Sequence, residues 1–249
     1  MCTLILGRDI LGPGTVLLAA NRDEQPRRPT DPPRVLVERP RVIGGRDRQA
    51  GGTWLAIREQ RAALAILNRR ETARPTGANL AARRSRGLLA IDVAVAQGEP
   101  LADTALQVAR AALAEAAYAP FTLVFAAPDS CWALAHDGER HRHQEIPSGW
   151  HVITHQDLDD PSEPRTAYVL GQLAGWQPRS PEEAERRALE LLARHEAPRV
   201  CLHDGPMVTV SSSLVRISAG GARYLHAEGR PCEVPYRDLA GLLARSETV

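Results

Sequence analysis

Two short apolar runs, residues 4–6 and 16–20, flank Leu11-Gly12-Pro13-Gly14, and no other stretch constrains the fold as tightly. Apolar runs bounded by Gly and Pro are the signature of an antiparallel hairpin. Pairing residues 3–7 with residues 16–20 places residues 20 and 21 opposite residues 2 and 3. Cys2 stands just outside one strand, and Asn21-Arg22-Asp23-Glu24 just outside the other. The spacing therefore predicts a thiol beside an amide, a guanidinium and two carboxylates.

The pattern recurs along the chain. Gly51-Gly52-Thr53-Trp54 opens a second hairpin, which returns over residues 62–67 after a turn around 58–61 and leaves Asn68 at the strand end. Further strands are expected at 34–37, 121–127, 131–135, 141–146, 151–154, 208–218 and 222–226. Ala102, Leu106, Ala109, Leu113 and Ala117 share one face of a helix over 101–117. Ser180-Pro181-Glu182-Glu183 reads as an N-cap, a first-turn proline and the closing acid of a capping box. Shorter helices are expected at 168–173 and 239–243, while the apolar run 88–96 fits a buried helix or strand equally well. Residues 69–86 form an Arg-rich connection across a surface or lid. Without repeats or a linker, residues 1–249 read as a single domain.

A chain of 249 residues can bury a full core. Its formal net charge of +1 provides no general attraction to nucleic acid or an anionic membrane. No apolar run approaches a membrane span, and no basic leader precedes the first one, so membrane insertion is not expected. Four cysteines without CxxC spacing suit a cytoplasmic chain with free thiols, in which Cys131, Cys201 and Cys232 read as structural. His141 and His143 share a strand face without a third ligand. Asp157, Asp159 and Asp160 lack the glycine and terminal glutamate of a calcium loop. The histidines read as solvated, and the aspartates carry only a weak cation-site signal.

Cys2-Thr3, the Asn21-Arg22-Asp23-Glu24 tetrad and Gly52-Thr53-Trp54-Leu55 resemble the NRDE family, also called the transport and Golgi organisation protein 2 family. That family in turn resembles the N-terminal nucleophile hydrolases of the choloylglycine hydrolase and penicillin V acylase type. The resemblance implies an α+β fold, a four-layer αββα sandwich with two antiparallel sheets between helices. It also implies that Met1 is removed and that Cys2 becomes the terminal nucleophile. Asp23 then matches the acid that holds the terminal amine and thiol, and Arg22 its neighbouring arginine at a slightly different offset. Asn68 matches a strand-end asparagine that donates to the oxyanion, with Asn21 and Glu24 as supporting members of the tetrad. His155 stands where the acylases carry a second asparagine, and Arg216 lies in a segment resembling one with a late structural arginine.

An N-terminal cysteine needs no separate base, because its amine titrates at about 7.7–8.0 and its thiol at about 8.5. Arg22 is expected to favour the thiolate. Attack on a carbonyl gives an oxyanion and then a thioester that water cleaves. The sequence thus predicts a cysteine amidohydrolase acting on a linear, non-peptide C–N bond of a small-molecule amide, with no cofactor and no metal. Methionine aminopeptidase is the maturation partner, nucleic acid is not a partner, and a homo-oligomer is compatible. The alternative is a non-catalytic carrier of haem, acyl-CoA or lipid on the same scaffold.

Overall fold

Side chains along the strand Val16–Glu24 alternate between two cores. Leu17 and Ala19 pack beneath helices, while Val16 and Leu18 face a second sheet. A strand buried on both faces belongs in the middle of a layered structure. The computed structural model describes residues 2–70 and 83–244. In the first half of the chain the strands are β1 (Thr3–Arg8), β2 (Val16–Glu24), β3 (Thr30–Val37), β4 (Val42–Asp47), β5 (Leu55–Arg58) and β6 (Ala62–Asn68). Helices α1 (Arg86–Ala94) and α2 (Leu101–Glu115) follow, then β7 (Phe121–Ala126), β8 (Cys131–His136), β9 (His141–Glu145) and β10 (Gly149–Ile153). The chain continues through α3 (Pro164–Leu173), α4 (Pro181–Leu192), β11 (Val208–Ser218), β12 (Gly221–Ala227), β13 (Arg237–Asp238) and α5 (Ala240–Leu243).

The strands form two antiparallel sheets, a six-stranded one in the order β10-β1-β2-β11-β12-β13 and a seven-stranded one running β3 to β9 in sequence order. Leu4, Leu6, Val16, Leu18 and Val215 of the first sheet meet Ile57, Ala63, Ala65, Leu67 and Val124 of the second in the central core. Helices α3 and α4 cover the outer face of the first sheet over Ile5, Leu17, Ala19 and Leu214. Helices α1 and α2 cover the second over Leu64, Leu123 and Phe125. This is the four-layer αββα sandwich.

Several expectations change in detail. The first hairpin forms, but Thr3 pairs with Asn21 and Leu4 with Ala20, one residue out of the expected register. The cause is the loop: β1 runs on to Arg8, which pairs with Val16, and Asp9 at φ +57° closes the turn through its amide to the Thr15 carbonyl at 2.8 Å. The ambiguous run 88–96 lies mostly in helix α1, which buries Leu89, Ala90 and Val93. At α4 the Ser180 hydroxyl caps the Glu183 amide at 3.2 Å, whereas the Glu183 carboxylate reaches back to the Arg179 amide at 2.7 Å rather than to Ser180. The connection 69–86 is described only outside residues 71–82, so the lid reading of those twelve residues lies outside the described part.

Glycines explain the second motif. A side chain on Gly52 would collide with the backbone of Gly87 at the start of α1, where the Thr53 amide donates to the Gly87 carbonyl at 3.1 Å. A side chain on Gly45 would occupy the space taken by the Trp54 ring. The bare backbone of Gly45 is what admits the Trp54 ring beside β4, and that of Gly52 is what admits the start of α1.

Candidate active site

Register and alternation distribute the tetrad over both faces of β2. Arg22 and Glu24 point the same way as Leu18, towards the space between the sheets, while Asn21 and Asp23 point towards α3 and α4. Half-buried Cys2 packs on the inter-sheet core. A cleft of about 370 Å³ opens at this end of the sandwich, and Cys2, Arg22, Asp23, Glu24, Trp54 and Asn68 are among its walls. The two sheets therefore contribute to one site.

Arg22 is buried, 5 % exposed, with its guanidinium carbon 4.3 Å from the Trp54 ring centroid and carboxylates of Glu24 and Asp47 each at 3.8 Å. Glu24 also faces Arg28 at 3.7 Å and accepts from the Gln25 amide at 2.9 Å. Asn68 closes β6, and among the described residues its side chain makes no hydrogen bond within the protein. An amide without internal partners at the wall of a cleft is available to a ligand. Asn21 has the opposite character: its Nδ2 donates to the Leu192 carbonyl at 2.8 Å and to the Val200 carbonyl at 3.0 Å, tying β2 to the end of α4.

Asp23 is 2 % exposed and accepts the Thr209 hydroxyl at Oδ1, 2.7 Å away. Burial pushes its carboxyl up to about 6, against the opposing pull of Thr209 and Arg165. Arg165 stands 3.7 Å from Oδ2, donates to Thr3 Oγ1 at 3.2 Å, and is itself held by Glu163 at 2.9 Å. Sequence reasoning missed Arg165. Its signal was the Glu163-Pro164 helix start: Glu163 caps the Thr166 amide at 2.8 Å, and the proline at the first position fixes the turn that aims residue 165 at β1 and β2.

His155 sits behind this arginine rather than among the cleft walls. Its Nδ1 lies 3.4 Å from Arg165 and its Nε2 3.1 Å from Arg70. Burial, reinforced by the two arginines, lowers its pKa, and a neutral ring can accept from only one of them. Arg216 lies elsewhere, on β11, bonded through Nε to Glu185 of α4 at 2.7 Å. Asp157 and Asp159 are engaged by Arg69 at 2.7 Å and by His151 at 2.6 Å.

The Cys2 thiol corrects one expectation. Burial and the Asp23 carboxylate push its pKa above the ordinary value, and Arg22 pulls the other way too weakly to prevent it. Arg22 spends its charge on Trp54, Glu24 and Asp47. The guanidinium alone does not activate this thiol.

Residues 1–216 match the family model described as Transport and Golgi organisation 2. No curated protein sequence matches the chain. Among solved structures, the chain is similar to the Caenorhabditis elegans ortholog of N-acylethanolamine-hydrolyzing acid amidase, with 12 % identity and a TM-score of 0.60 over 86 % of this chain and 92 % of that one. Penicillin V acylase from Agrobacterium tumefaciens gives 11 % identity and a TM-score of 0.60 over 98 % and 88 %. A mutant conjugated bile acid hydrolase from Clostridium perfringens gives 12 % and 0.54 over 99 % and 95 %. At such identities the likeness concerns the fold, which is that of the N-terminal nucleophile hydrolases.

Proposed function

Since the chain belongs to the Transport and Golgi organisation 2 family and has the N-terminal nucleophile hydrolase fold, we propose that it is a cysteine amidohydrolase that cleaves a linear, non-peptide amide through Cys2. The observation that carries the reading is the convergence of Cys2, Asp23 and Asn68 from two sheets on one cleft. An amidase, an acylase and a bile acid hydrolase among its fold neighbours support the same class of bond.

The chemistry requires Cys2 to carry a free α-amine, and hence removal of Met1. That amine takes the thiol proton, supplying the activation that Arg22 does not. The thiolate attacks the amide carbon, and the Asn68 amide stabilises the oxyanion. Collapse breaks the C–N bond, and the α-ammonium gives its proton to the departing amine. Water, deprotonated by the amine, then cleaves the thioester and restores the thiol. Asp23, whose carboxyl burial raises to about 6 against the combined pull of the terminal amine, Thr209 and Arg165, is charged at neutral pH and pairs with the α-ammonium, and Thr209 fixes its orientation. Among the described residues, Arg22, Arg28, Glu24 and Asp47 make the cleft wall more polar than apolar. That favours a polar amide substrate over the carrier alternative.

A panel of linear N-acyl amines tests the proposal, with Cys2→Ala as the control. Turnover lost in Cys2→Ala but present in the parent supports it. Turnover that survives the substitution removes Cys2 as nucleophile.

A further inference from the structure

The loop after α4 and the loop after β12 bring three metal-ligating side chains together away from the cleft, with a fourth, Cys201, in contact with one of them. His195, His203 and Cys232 each place one ligand atom within 4.8 Å of the others. His203 Nε2 is 3.0 Å from Cys232 Sγ, and the fully buried Cys201 adds a second sulfur 3.6 Å from that of Cys232. Two thiolates bound to one tetrahedral zinc at about 2.3 Å stand roughly 3.8 Å apart, so this sulfur pair already has the spacing of metal ligands rather than of a disulfide.

The outer contacts select the tautomers that zinc requires. The Nδ1 of His203 faces the Glu233 carboxylate at 3.5 Å, and Arg230 holds that carboxylate at 3.0 Å while donating to the His203 carbonyl at 3.2 Å. The Nδ1 of His195 faces the Ala193 carbonyl at 3.4 Å. In both rings the proton is thereby drawn to Nδ1, leaving Nε2 as the metal donor. His195 is exposed and free to close the remaining gap.

We propose that Cys201, His203, Cys232 and His195 bind one Zn²⁺ ion that clamps the loop after α4 to the loop after β12. A closed Cys₂His₂ set leaves no position for water, so the role is structural. On binding, the two thiol protons leave to solvent as the sulfurs become thiolates. The clamp bears on the cleft through the backbone between its ligands: the Val200 carbonyl accepts from Asn21, and the Leu202 amide donates at 2.8 Å to the Thr209 hydroxyl that holds Asp23. The site stands whether or not Cys2 is a nucleophile.

The test uses tag-free full-length protein expressed with added zinc and purified without chelator. About one equivalent of zinc per chain is expected by atomic emission. Replacement by Co²⁺ should give the thiolate-to-metal charge-transfer band and the intense visible bands of a tetrahedral site. Cys232→Ser should lose both signals, while Cys131→Ser should keep them, because Cys131 lies on β8 with its thiol on the Ala127 carbonyl at 3.5 Å. Should Cys232→Ser fail to fold, the cobalt spectrum of the parent decides. The proposal is overturned by a metal-free parent, by a cobalt spectrum without sulfur ligation, by zinc retained in full after Cys232→Ser, or by a Cys201–Cys232 disulfide in the non-reduced mass.

Discussion

The Arg22 guanidinium stacks 4.3 Å from the Trp54 ring centroid, and this contact joins the two sheets across the mouth of the cleft. The tetrad supplies the cation and the Gly-Thr-Trp motif the ring, while Gly45 of β4 leaves the ring its space.

A double-mutant cycle should register that contact. Arg22→Ala and Trp54→Ala are each expected to destabilise the fold, with a coupling of about 0.5–2 kcal/mol, since the cation is largely desolvated. Urea unfolding of the four proteins measures it. Additive effects would mean that the stacking contributes nothing beyond each residue's own packing.

Two buried titrating groups should leave opposite marks on stability. Asp23, raised to about 6 from 3.8, keeps in the folded state a proton that the unfolded chain releases, so the stability it contributes at acid pH is lost as pH rises through 6. His226, lowered by burial to about 4 from 6.5, refuses a proton that the unfolded chain takes, so stability is lost as pH falls from 6.5 to 4. Relative to the parent, Asp23→Asn should gain stability with rising pH across 4–6, and His226→Gln should gain it with falling pH. Denaturant unfolding at fixed pH steps reads both, at on the order of 2–3 kcal/mol each. Profiles parallel to the parent would contradict the assignment.

Asn68→Ala should lower kcat by roughly 10²–10³ with KM little changed, because its amide is engaged only by the oxyanion. Since the side chain makes no hydrogen bond within the described protein, thermal stability should be unaltered. A variant that loses KM and keeps kcat would recast Asn68 as a substrate-binding group.

Much of this was legible from local pattern. Gly-bounded apolar runs located the first hairpin, and Asn68 ends its strand as the spacing required. The one-residue register error has a local physical origin, because loop length alone does not reveal that Asp9 adopts a positive φ and closes the turn early. The sandwich itself came from resemblance, since hairpins alone do not say which sheet each strand joins. The Glu163-Pro164 helix start marks residue 165 in the sequence but not that it reaches Thr3, and the Cys201–Cys232 contact was not readable, for both contacts arise where distant segments pack. The direction of the Cys2 shift was also hidden. A neighbouring arginine is visible in sequence, whereas the burial that outweighs it is not.

A Cys2 that is a terminal nucleophile armed by its own amine should reveal itself in intact mass followed through a time course with iodoacetamide at neutral pH. The expected result is a chain that begins at Cys2, with the first adduct on that residue, whose thiol can hand its proton to the adjacent free α-amine, ahead of Cys131, Cys201 and Cys232. A chain that keeps Met1 in full, or one whose first adduct falls on another cysteine, would contradict it.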